Sequence, residues 1–100
     1  MPATIKALYR GAAATSSATL YTVPASTVTT ITNIVITNTN GAAQTATIAI
    51  DGVVLIPAVS IPAGSFASFD LKQAVAATKL VTGFASNVAV NFHISGVEVA

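Results

Sequence analysis

The chain has 100 residues, four basic and three acidic side chains, a net charge of +1 and no cysteine. That length makes one domain with a modest core, and the missing cysteines exclude a disulfide framework and thiolate metal chemistry. Seven charged residues, against the roughly 25% usual in a soluble domain, leave little self-repulsion, so much of the surface is expected to be covered by copies of the chain or by a larger partner.

No stretch approaches the length of a membrane-spanning helix without Thr, Ser, Gly or charge interrupting it. Two Tyr and no Trp cannot supply the aromatic belts of an outer-membrane barrel, so no membrane partner is expected. The segment from Met1 to Arg10 has no apolar run behind its basic residues, and cytoplasmic synthesis is expected.

In chain order, residues 4–10 make a first strand, with Ile5, Ala7 and Tyr9 on one side and Lys6, Leu8 and Arg10 on the other. Residues 11–17 are a loop of small residues. A second strand over 18–23 is closed by Pro24, which cannot donate a ladder hydrogen bond. Residues 27–50 hold two β-branched runs joined at Asn40-Gly41, a hairpin signal. A three-residue loop of Thr39-Asn40-Gly41, with Gly41 left-handed, places Thr30, Thr32, Ile34 and Ile36 on one face with Ala46, Ile48 and Ile50. The opposite face carries Ile31, Asn33, Val35 and Thr37.

Asp51-Gly52 is a second hairpin signal, leading into a strand over 53–56 that Pro57 ends. Ile61-Pro62-Ala63-Gly64 is a corner. A strand over 65–71 follows, with a bulge expected near Ala67-Ser68, and Asp70 to Gln73 has the spacing of a helical cap. Residues 80–86 and 88–99 form a last hairpin. Val88, Val90, Phe92 and Ile94 share its apolar face, and Gly96 marks a bulge that restores the phase for Val97 and Val99. Seven or eight short, mostly antiparallel strands with turns between them predict an all-β chain, a single small β-sandwich. Its domain spans 18–100, and residues 1–17 form an N-terminal arm or an edge strand with a flexible loop.

The residues carry little chemistry. One His, two Asp and one Glu, spread along the chain, offer no acid, base or nucleophile set, and one imidazole does not make a zinc site. His93 reads as a surface or interface residue, Asp51 and Asp70 as turn or cap residues. The six glycines are single punctuation marks rather than a phosphate loop. Lys6, Arg10, Lys72 and Lys79 are too few for substantial nucleic-acid affinity. No enzyme activity, cofactor, metal or nucleic acid is expected. Tyr9, Tyr21, Ile31 and Val35 are candidate assembly contacts, being larger apolar groups beside a core built on Ile34, Ile36, Ile48, Ile50, Phe92 and Ile94. Asn40, Gly41, Gly64 and Gly96 are the candidate structural turns.

The succession Leu20-Tyr21-Thr22-Val23-Pro24-Ala25, Thr29 to Asn40 with its Ile34-Val35-Ile36-Thr37-Asn38-Thr39-Asn40 ending, Ile61-Pro62-Ala63-Gly64, Phe69-Asp70-Leu71 and Val88 to Val99 resembles small β-sandwich virion proteins of tailed bacteriophages, over residues 18–99. The resemblance implies a non-enzymatic structural protein, found in the virion and made in the host cytoplasm. It implies a homo-oligomer, with a trimer favoured, that decorates or cements a capsid by binding the major capsid protein. A tail or fibre-base component bound to tail proteins is the alternative within that class. A carbohydrate-binding β-sandwich module is the alternative outside it, although such modules usually present exposed aromatic platforms.

Overall fold

The computed structural model describes residues 3–100, and among these are eight strands and no helix. They are β1 (Ala3–Ala12), β2 (Ala18–Thr22), β3 (Val28–Asn38), β4 (Gln44–Ile50), β5 (Val53–Ile61), β6 (Phe66–Val75), β7 (Leu80–Ala85) and β8 (Val90–Val99). One sheet has the order β1-β8-β3-β6 and the other β2-β7-β4-β5. β1 pairs β8, β2 pairs β7, β3 pairs β6 and β4 pairs β5, all antiparallel. Such nesting is what one long hairpin gives when it rolls so that successive strand pairs fall in opposite sheets, the jelly-roll form of the β-sandwich.

The tip of that long hairpin is Asp51-Gly52. Both residues have positive φ, 53° and 76°, the conformation a two-residue turn needs between strands of right-handed twist. Ile50 sits opposite Val53 across it. Among the described strands, β4 and β5 are the only consecutive pair that are also neighbours in one sheet.

Asn40-Gly41 therefore does not close a hairpin. β3 bonds to β6 and β8, β4 bonds to β5 and β7, and the loop between β3 and β4 crosses from one sheet to the other. Gly41 is not among the positive-φ residues. What shapes the crossing is Asn38, which is 2% exposed. Its amide donates to the carbonyls of Ala42 and Ile61, each at 3.0 Å, and its Oδ1 accepts from the Asn40 N–H at 2.9 Å. Asn40 in turn accepts from the Ala42 N–H at 2.9 Å. Two Asx turns in series satisfy the backbone that a hairpin ladder would have used. The hairpin expected between residues 80–86 and 88–99 fails in the same way: β7 and β8 lie in different sheets, and Val88 is an exposed loop residue.

Three bulges account for the remaining differences in phase. Leu8 in β1 and Leu20 in β2 are extra residues, as the register slips between Ala7 and Tyr9 and between Thr19 and Tyr21 show. Thr32 is the extra residue in β3 against β8, so Ile31 and Ile34 both turn into the core, correcting the expected placement of Ile31 outside and Thr32 inside. β8 itself runs without interruption through Gly96. A Cβ at Gly96 would stand 2.3 Å from the Thr30 carbonyl oxygen and 2.9 Å from Leu8 Cδ1, so the glycine serves close packing beneath the neighbouring bulges and is not itself a bulge.

Pro57 does not end its strand. β5 is an edge, where a missing N–H costs no ladder bond, and it continues to Ile61 past two register slips against β4. Nor is there a bulge at Ala67-Ser68 or a turn at Asp70. The stretch is regular strand, with Phe66 outside and Phe69 packed inward, and the slip against β3 falls between Asp70 and Gln73. Gly64 does hold a corner, with φ of 65° and a Ser65 N–H bond to the Pro62 carbonyl at 3.2 Å.

The core between the sheets contains Ile31, Ile34, Ile36, Ile48, Ile61, Phe92 and Ile94, none more than 1% exposed, with Ile50 packed against its margin. Each such side chain contributes about 1.5–3 kcal/mol on burial. Residues 3–17 are built into the sandwich, as the edge strand β1 and its link to β2. Met1 and Pro2, at the start of the expected arm, lie outside the described residues.

Candidate functional site

The ionisable groups come together mainly to hold the fold. At one end of the core the Glu98 carboxylate accepts from the Tyr21 hydroxyl and pairs with Lys6 Nζ at 3.4 Å, while Thr29 Oγ1 lies 3.3 Å from the same hydroxyl. Tyr21 thus fastens β2 of one sheet to β8 of the other through a polar cluster that closes the apolar layer. Asp70 accepts from Asn33 Nδ2 at 3.0 Å. Asp51 faces Lys79 at 3.9 Å with both side chains at least half exposed, a geometry that contributes little. His93 is half-buried on the outer face of the first sheet, in a row with Val35 and Arg10 on the adjoining strands. Among the described residues no group of three His, Asp or Glu side chains is placed to hold a metal ion.

The apolar surface has more to offer a partner. β8 keeps its alternation, so Glu98 points inward while Val97 and Val99 point outward. Across the sheet Val97 meets Ile5 and Val99 meets Val28. Ile5 is 85% exposed and Val28 50%, so four apolar side chains on three adjacent strands form an outer patch. Near the hairpin tip Val53 and Val54 are exposed at 70% and 55%. Phe66 projects from the outer face of the first sheet and Phe84 from that of the second, beside Thr47. Between the edge strands β5 and β6, where the two sheets part, a groove of about 640 Å³ is lined by Leu55, Pro57, Val59, Phe69 and Leu71. Scattered apolar residues are ordinary on a surface, but contiguous patches mark contact sites.

The four candidate contact residues fall differently. Ile31 is fully enclosed and has no surface for a partner, a correction that follows from the Thr32 bulge. Tyr9 and Tyr21 are half-buried against the core, and their hydroxyls bond within the chain, Tyr9 to the Ala12 carbonyl at 2.9 Å and Tyr21 to Glu98. Val35 is half-buried on the outer face. Ile5, Val28, Val97 and Val99 were legible in one respect: Val97 and Val99 break the apolar parity of the last strand. A bulge that turns them inward and a straight strand that leaves them outside give the same sequence pattern.

No family model, curated protein or solved structure matches this chain.

Proposed function

We propose that this protein is a non-enzymatic structural subunit of a bacteriophage particle, which decorates or cements the capsid through its charge-poor outer faces. The patch of Ile5, Val28, Val97 and Val99, on a chain with only seven charged residues, supports an assembly role, and the placement on a phage particle rests on the sequence resemblance of residues 18–99. Burial of such a patch supplies affinity at roughly 25 cal/mol per Å² before association costs are met. A jelly roll suits the role without specifying it, because viral shell domains and lectins share the architecture. On a repeating lattice, weak contacts made by one oligomer add through effective concentration.

The test is to mix purified chain with particles that lack it, sediment them, and image the product by cryo-electron microscopy. Density on the icosahedral shell, with the Ile5 and Val97 face in contact, is the expected result. Density confined to the tail or fibre base would move the protein to that part of the particle while keeping the same surfaces. Failure to bind any part of the particle would overturn the reading.

A further inference from the structure

Among the described residues the two sheets end in four free edges, each a row of backbone N–H and C=O groups that a further strand could pair. Three of them are poorly made for a second copy of this chain. β2 has only five residues. β5 carries Pro57, which lacks an N–H, and Ala58 with positive φ. β1 carries two cations, Lys6 and Arg10, with no acidic residue to meet them on a second copy, and it is broken in mid-strand by the Leu8 bulge.

β6 differs. It is ten residues long, and although its register slips against β3 between Asp70 and Gln73, the alternation of exposure continues there, with Asp70 and Lys72 exposed on either side of half-buried Leu71. In an antiparallel pair about a two-fold axis at Leu71, Asp70 lies opposite Lys72 of the second copy, and the same contact repeats in reverse. The edge is self-complementary in charge. Its other side borders the apolar groove, where Leu55, Val59, Phe69 and Leu71 remain half-buried. A second copy on the axis brings Leu71 against its own counterpart and sets one groove beside the other.

We propose that β6 pairs antiparallel with β6 of a second copy. The pairing joins two four-stranded sheets into one continuous sheet and covers both grooves. The contact is isologous and closes at two subunits, so it yields a dimer rather than the trimer expected from the family resemblance. It deepens the assembly reading and rests on it.

Sedimentation equilibrium of the isolated chain tests the pairing. The wild type is expected to sediment at twice the chain mass. Lys72→Asp, which leaves the Asn33–Asp70 bond in place, is expected to weaken the dimer roughly tenfold or more by setting like charges opposite one another. Adding Asp70→Lys to it should restore the dimer. A monomeric or trimeric wild type, an unaffected Lys72→Asp dimer, or no rescue in the double variant would overturn the proposal. A second reading needs no variant: amide exchange in residues 66–75 should slow as wild-type concentration rises, and exchange independent of concentration would count equally against it. The outcomes separate from those of particle binding. A β6 dimer that binds no particle would remove the virion role and leave the pairing intact, whereas a monomer that binds particles would do the reverse.

Discussion

Gly96 and Gly41 show how differently one residue type can be used. At Gly96 a methyl group would meet the Thr30 carbonyl oxygen at 2.3 Å, and β3 would have to move. Gly96→Ala is expected to cost about 2–3 kcal/mol, as overpacked cores do, and to lower the melting temperature by roughly 10–20 °C. Nothing lies within 4 Å of a Cβ at Gly41 and its φ is not positive, so Gly41→Ala should change stability by no more than about 0.5 kcal/mol. Thermal melts of the two variants side by side check both statements. Asn38 is the polar counterpart, a buried amide whose donors reach the carbonyls of Ala42, Ile61 and Pro62. Asn38→Ala leaves those carbonyls unpaired and opens a gap, and a loss of about 2–4 kcal/mol in urea unfolding is expected. The sequence marks Asn38 only as one of several Asn near a turn. Its importance comes from Ile61, twenty-three residues away, which reaches the same amide through the fold.

Among the elements, the β4–β5 hairpin stands apart because its contacts are local, while every other strand pair brings together distant parts of the chain. Loop closure then favours formation from the tip outward, with β1 joining β8 last. Gly52→Val forces a branched side chain into φ of 76° and should cost about 1–2 kcal/mol, appearing chiefly as slower folding. Leu8→Ala at the outermost pair should appear chiefly as faster unfolding. Chevron analysis separates the two limbs, and equal effects on both limbs for both variants would refute the order. The hairpin signals of the sequence had the right chemistry but did not say which turn stays within a sheet. Sheets pack about 10 Å apart. The residues between β3 and β4 can span that distance with Asx turns, whereas the two-residue Asp51-Gly52 turn cannot.

For the whole molecule, a sandwich 45 × 21 × 18 Å with few charges presents long faces, and the outer patch on the first sheet is where a partner's surface is expected to lie. Ile5 is 85% exposed, so Ile5→Asp should alter folding stability by no more than about 0.5 kcal/mol while weakening attachment to particles. Co-sedimentation together with a melting curve reads both quantities. Unchanged attachment would place the contact on another face. Nested pairing of this kind is also slow to assemble, and refolding in the range of milliseconds to seconds is expected from its non-local topology.

The sequence by itself determined that the chain is all-β, that it turns tightly at Asp51-Gly52 and bends at Gly64, and that Ile34, Ile36, Ile48, Phe92 and Ile94 are core. These are properties of short stretches, set by β-branched alternation and by the backbone conformations that turns require. Tertiary structure alone decided which strands are neighbours, and hence that Asn40-Gly41 is a crossing between sheets. It also decided that Ile31 is inside and that Val97 and Val99 are outside. A bulge in one strand reverses the facing of every residue beyond it, and whether Leu8, Thr32 or Gly96 takes that role depends on partners far away in the chain.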